Sequence, residues 1–125
     1  MVSRGIRGAT TVTENTADEI IYHTKLVLQE MIEANDVTPE NVSHVFISAT
    51  KDIDAVFPAR ALREFSGWTY VPVMCMAEIE VENSLKNCIR IMMVVNTNQN
   101  QAEVKHIFHN EAITLRPELV EKRGQ

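Results

Sequence analysis

Cys88-Ile89-Arg90-Ile91-Met92-Met93-Val94-Val95-Asn96-Thr97 is the stretch whose reading decides the fold. It is the most apolar run in the chain, of strand length, and far short of the roughly 20 apolar residues a membrane helix needs. Side chains alternate between the two faces of a strand, and here apolar residues fall on both. A sheet built around it therefore needs cover on both sides. Its single charge is Arg90.

The flanking sequence supplies cover for one side. The first dozen residues are β-branched in character and read as a strand ending at Val12. Thr16-Ala17-Asp18-Glu19 fits a capping box, with Thr16 as N-cap and Glu19 reaching back. Behind it Ile20, Thr24, Val27, Leu28, Met31 and Ile32 recur at helical spacing, and the helix is expected to stop near Asn35, a residue that tolerates a left-handed end. Thr38-Pro39 starts a short turn, and Val42 to Thr50 reads as a buried strand. Pro58 opens a short helix over Ala59 to Ser66, closed by Gly67. Tyr70 to Met76 is the next strand, followed by a polar stretch from Glu78 to Lys86. Beyond the central strand, Asn98 to Gln101 is a polar connection and Val104 to Leu115 a last strand ended by Pro117.

This order predicts an α+β fold: a mixed β-sheet with one long and one short helix packed on one face. The second face is left for another subunit. Residues 1–117 form one domain, and 118–125 are expected to be a flexible, charged C-terminal tail.

Bulk properties narrow the function. The chain has 125 residues, 45% of them hydrophobic, and a net charge of -5. That charge argues against nonspecific binding to nucleic acid or an anionic membrane. The N-terminal residues carry charge but no apolar signal-peptide core, and Cys75 and Cys88 do not suggest a disulfide framework, so the cytosol is expected. An anionic ligand would need a local cationic cluster working against the global charge.

Arg90 is the residue to examine first. A guanidinium in a strand apolar on both faces is costly unless an anion pairs with it, and that anion could be a protein carboxylate or a ligand. Arg7 lies in Gly5-Ile6-Arg7-Gly8-Ala9, where alternation places Gly5 and Ala9 beside it; small neighbours leave room for an approaching group, although an exposed strand arginine is the commoner case. Glu78 and Cys75 point to opposite faces under strict alternation and meet only if the strand breaks near Met76-Ala77. Otherwise Glu78 is a solvated strand-end acid. Arg60 and Arg63 share one helical face, which is more often simply solvated. Arg116 fits an exposed strand end.

Other signals are weak. His106 and His109 with the two cysteines have no zinc spacing, and neither a G-x-G-x-x-G nor a P-loop occurs. No nucleophile elbow or triad is evident. With several arginines and no apparatus for covalent, metal or cofactor chemistry, the residues point to recognition of a multiply anionic small molecule.

A longer pattern names a family. Arg4-Gly5-Ile6-Arg7-Gly8-Ala9-Thr10-Thr11-Val12 resembles the opening of the AroH-class chorismate mutases. Ser48-Ala49-Thr50, Ala55-Val56-Phe57-Pro58-Ala59, Ser66-Gly67-Trp68, Tyr70-Val71-Pro72-Val73, Cys88-Ile89-Arg90 with Met92-Met93, and Leu115-Arg116-Pro117 follow in that family's order. The resemblance spans nearly the whole chain. It implies a homotrimeric pseudo-α/β-barrel with active sites at the subunit interfaces, and the cofactor-free rearrangement of chorismate to prephenate in phenylalanine and tyrosine biosynthesis.

It also implies roles. Arg90 would contact the ether oxygen and one carboxylate of chorismate, Arg7 the enolpyruvyl carboxylate, and Glu78 with Cys75 the ring hydroxyl. Phe57, Ala59, Val73, Met74 and Leu115 would wall the site, with Phe108 and Arg116 also in contact. Arg60 and Arg63 would come from the neighbouring chain towards the ring carboxylate. This sequence departs from the family at Phe108, where tyrosine is common, at Met74, where threonine is frequent, and at Arg60, where lysine is frequent. Two other readings stay open at this point: a trimeric protein that binds an anionic metabolite for regulation, and an enamine deaminase of similar architecture.

Overall fold

The computed structural model describes residues 1–124. The chain runs β1 (Val2–Thr11), α1 (Ala17–Ala34), β2 (Val42–Ala49), β3 (Val73–Ala77), β4 (Cys88–Thr97), β5 (Ile107–Phe108) and α2 (Pro117–Gly124). Short 3-10 helices over Pro39–Asn41, Pro58–Glu64, Gln101–Glu103 and Asn110–Thr114 join them. The strands form one five-stranded sheet in the order β3-β2-β4-β1-β5. β4 runs antiparallel to both β1 and β2, whereas β3 is parallel to β2 and β5 parallel to β1. The expected mixed α+β sheet is what forms. No helix among the described residues is long and apolar enough to cross a membrane.

β4 occupies the centre because it is the strand that can bury most. Its Ile89, Ile91, Met93 and Val95 are buried, and they pack with Ile20, Val27, Leu28 and Met31 of α1 in one core. The intervening residues Arg90, Met92 and Asn96 are exposed. The face away from α1 also carries Phe46 (40% exposed) and Met74 (61%), which stand open in the single chain. α1 lies close against Gly8 of β1. A Cβ there would stand 2.2 Å from Met31 Sδ, so any larger residue forces the buried Met31 side chain to shift.

The caps differ in detail from their sequence reading. Thr16 Oγ1 accepts the Glu19 N–H at 3.2 Å as expected, but the Glu19 carboxylate accepts from Thr13 Oγ1 at 3.0 Å and does not turn back to Thr16. At the other end it is Asp36 (φ 50°), not Asn35 (φ -111°), that adopts the left-handed conformation. Asn35 is used differently. Its Nδ2 donates to the carbonyls of Met31 at 3.0 Å and Lys105 at 2.8 Å, and its Oδ1 accepts the Lys105 N–H at 2.9 Å. Both backbone groups of Lys105 are thereby tied to the end of α1.

Four elements move from their expected bounds. The strand expected over Val104 to Leu115 is reduced to Ile107–Phe108, because Asn110 (φ 55°) turns the chain. The Asn110 Nδ2 holds that turn by donating to Thr10 Oγ1 at 3.2 Å and to the Thr11 carbonyl at 2.9 Å. The strand expected from Tyr70 begins at Val73, since Pro72 has no N–H for a ladder and supplies only its carbonyl, to the Val45 N–H at 2.9 Å. The helix after Phe57 is 3-10 and ends at Glu64. Where a charged tail was expected from 118, α2 forms, with Leu119 and Val120 packed near Ala9, Phe108 and Ala112; Gln125 lies outside the described residues.

Candidate active site

Pairing across the sheet sets the site. Arg90 of β4 lies opposite Ala9 of β1 and Ser48 of β2, so the three stand abreast. β3 ends at Ala77, and the Glu78 N–H donates to the Ala49 carbonyl at 2.9 Å, which swings the next side chain over this row. Arg90 then donates to both oxygens of Glu78, from Nε at 2.8 Å and from Nη2 at 2.7 Å. Ser48 Oγ donates to the same carboxylate. These bonds hold the Glu78 carboxyl below its ordinary range, the Arg90 bond chief among them, while that bond in turn raises the Arg90 pKa. The anion facing Arg90 in the single chain is thus a protein carboxylate, and no partner is recorded for its remaining nitrogen, Nη1, among the described residues.

Arg7 stands one step further along β1. Its backbone N–H donates to His106 Nδ1 at 2.9 Å, and its Nη1 lies 3.3 Å from His106 Nε2. Burial first, then the charges of Arg7 and Arg116, push the His106 pKa down to about 4. Arg7, Ala9, Ser48, Glu78, Arg90, Phe108, Leu115 and Arg116 line one cleft of about 490 Å³. Arg116 pairs with Glu118 at its rim. With Arg90 paired to Glu78 and Arg116 to Glu118, Arg7 is the guanidinium of this cleft in no ion pair among the described residues, and it supplies the local positive charge that an anionic ligand requires against a net charge of -5.

The other site candidates gather elsewhere. Phe57, Ala59, Arg60, Arg63, Val73, Met74 and Cys75 line a second cleft of about 680 Å³, against Leu62, Phe65 and Trp68. Cys75 is half-buried there, its thiol pKa raised by burial and partly offset by a backbone hydrogen bond at Ala59. Although β3 breaks where a meeting with Glu78 required it, Cys75 still faces the second cleft and Glu78 the first. One chain therefore brings Arg7, Glu78, Arg90, Phe108, Leu115 and Arg116 together and leaves the remaining candidates apart.

Two contributors were not singled out from the sequence. Ser48 reaches Glu78 only because β2 is in register with β4, a relation no local pattern carries. His106 fits neither a zinc spacing nor a triad; its partner is a backbone N–H, and backbone partners leave no residue signature.

The comparisons with known proteins converge. Residues 3–119 match the family model described as chorismate mutase type I. The chain is 50% identical over 119 residues to chorismate mutase AroH of Bacillus subtilis (strain 168), covering 95% of this chain and 94% of that protein. It is 39% identical over 117 residues to chorismate mutase AroH of Thermus thermophilus, covering 93% and 95% respectively. A solved chorismate mutase from Clostridium thermocellum superposes with a TM-score of 0.85 at 47% identity, over 88% of this chain and 97% of that one.

Proposed function

Because the chain belongs to the type I chorismate mutase family and is thus an isomerase that converts chorismate to prephenate, we propose that it works as a homotrimer whose active sites join the two clefts across subunit interfaces. The observation that carries this is the division of the site. The Arg7, Glu78 and Arg90 cleft is half open, and so is the Arg60 and Arg63 cleft, with exposed apolar Phe57 (72%) and Met74 (61%) at the latter. Exposed apolar groups beside complementary half-sites are what a closed ring of identical chains buries. Cys75 of one chain could then meet a substrate held by Glu78 of its neighbour.

The reaction breaks one C–O bond as it forms one C–C bond, moves no proton and needs no covalent intermediate. Two tasks remain for the protein. It must hold the enolpyruvyl arm over the ring, which avoids the entropy of finding that conformer. It must also stabilise the negative charge that grows on the ether oxygen as the bond stretches. Arg90 performs the second: its plane is fixed by the two bonds to Glu78, and Nη1 is left to face the ether oxygen and a carboxylate. Arg7 takes the enolpyruvyl carboxylate, while Arg60 and Arg63 of the neighbouring chain meet the ring carboxylate. Glu78 accepts from the ring hydroxyl; its depressed pKa keeps it an acceptor at neutral pH. Phe108 gives no hydroxyl contact.

Purified protein incubated with chorismate should deplete its ultraviolet absorbance and form prephenate. Sedimentation equilibrium should give three times the 14.2 kDa chain mass. An active monomer would overturn the shared-site proposal.

A further inference from the structure

His106 stands outside the roles assigned above, yet it meets both the backbone N–H and the guanidinium of Arg7. The backbone N–H of Arg7 can only donate, and its partner at 2.9 Å is His106 Nδ1, so that nitrogen must carry a lone pair. A neutral ring with an unprotonated Nδ1 bears its hydrogen on Nε2. The Nε2 atom lies 3.3 Å from Arg7 Nη1, and both are then donors. The ring therefore holds the Arg7 main chain while refusing an acceptor to its guanidinium. None of the ion pairs among the described residues includes Arg7.

The ring's own position is well fixed. The preceding residue, Lys105, has both its N–H and its carbonyl bound by the Asn35 side chain at the end of α1. The next two residues, Ile107 and Phe108, pair in parallel with Gly8 and Ala9 of β1. This pairing is only two residues long, and the imidazole extends it by one step, standing in for a backbone acceptor. Arg7 is thus located from α1 through the 105–108 segment.

We infer that His106 is a positioning residue for Arg7: it anchors the Arg7 main chain through Nδ1 and, by presenting only an Nε2 donor, keeps the guanidinium unpaired for the substrate carboxylate. This rests on the proposal that Arg7 binds that carboxylate. The same logic explains why the histidine must be neutral. A protonated Nδ1 would oppose the Arg7 N–H and add a third positive charge beside Arg7 and Arg116.

The test compares wild type, His106→Asn, His106→Leu, Arg7→Ala and the double variant Arg7→Ala/His106→Leu in chorismate kinetics. Asparagine places Oδ1 where Nδ1 was and keeps the acceptor; leucine keeps bulk and loses it. We expect His106→Leu to raise KM about tenfold, as loss of a hydrogen bond next to a charge-binding group does. His106→Asn should stay within about threefold of wild type. In the Arg7→Ala background His106→Leu should add almost nothing, because the residue it serves is gone.

The outcomes separate. If Arg7→Ala leaves KM unchanged, the carboxylate assignment fails and the positioning role falls with it. If Arg7→Ala is impaired and His106→Leu multiplies that loss in full, only the positioning role fails, and His106 is merely structural. Should the leucine variant not fold, the asparagine variant and the wild-type tautomer decide. 15N shifts of the wild-type imidazole should report Nε2–H with a hydrogen-bonded Nδ1, and an Nδ1–H ring overturns the inference.

Discussion

Glu78 accepts two parallel hydrogen bonds from Arg90, at 2.8 and 2.7 Å, across the point where β3 stops and β4 continues. Glu78 is the more enclosed partner, its side chain 17% exposed against 52% for Arg90. A carboxylate held at a strand end thus orients a more open guanidinium, and two contact points fix its plane where one would leave it free to rotate.

Lysine cannot reproduce that geometry. Arg90→Lys keeps the charge but offers a point-like ammonium that cannot bridge both Glu78 oxygens and still face a substrate oxygen. Its circular dichroism spectrum should match wild type while kcat falls about 10² to 10³-fold, the range for losing a donor to developing charge. A kcat near that of wild type would remove Arg90 from the proposed mechanism.

Subunit mixing tests the joined clefts. Arg63→Ala and Arg90→Ala variants, each confirmed as impaired, are unfolded together and refolded as mixed trimers. With random assembly about a quarter of interfaces pair an intact Arg90 with an intact Arg63 from its neighbour. Activity should rise above that of either variant refolded alone. Demonstrated exchange of subunits with only averaged activity would count against a shared site.

Packing at the helix–sheet seam gives a stability test. Gly8→Ala brings a methyl group to about 2.2 Å from Met31 Sδ, in a core where Met31 is fully buried. The cost should be about 1–3 kcal/mol, typical of overpacking, read from urea midpoints at one protein concentration. Combining it with Met31→Ala should cost less than the sum of the two single changes, because the cavity made by one accommodates the methyl of the other. Strict additivity would show that the helix simply moves away.

His106 supplies a pH dependence whose sign can be worked out. Its pKa is lowered from 6.5 to about 4 by burial and by the facing charges of Arg7 and Arg116. As pH falls below 6.5 the unfolded chain takes up this proton before the folded one does, so folding stability declines from there to about 4. Above 6.5 the contribution is complete. Glu78, with a pKa held under its ordinary 4.5, acts in a lower window. Denaturant midpoints measured across pH 7 to 4 for wild type and His106→Asn should converge as pH falls, if the imidazole is responsible. Parallel curves would assign the slope to other groups.

The sequence carried the elements whose signals are periodic. Ile20, Thr24, Val27, Leu28 and Met31 lie on the buried face of α1 because helical spacing alone puts them there. β4 has the bounds its apolar run implies. The 104–115 region does not follow its apolar pattern because, of the buried Val104, Ile107, Phe108 and Ala112, only Ile107 and Phe108 share a strand, under control of Asn35 and Asn110 side chains bonded to distant backbone. In the site, Arg90 was visible as a charge in an apolar strand. Ser48 and His106 were not, since one depends on strand register and the other on a main-chain partner.

Placing Arg90 on the middle strand has a consequence for the working life of the molecule. In the order β3-β2-β4-β1-β5, the amides of β4 are shielded by two strands on either side and by α1 over the core. Such amides exchange with solvent mainly through global opening, whereas frayed edges exchange by local excursions. The strand that carries the guanidinium is therefore among the last parts of the sheet to open, while Glu78, which fixes the guanidinium's plane, follows the edge strand β3, where local excursions occur. Local fraying at the end of β3 therefore silences the site ahead of cooperative melting, and substitutions that tighten this edge lengthen the catalytic lifetime.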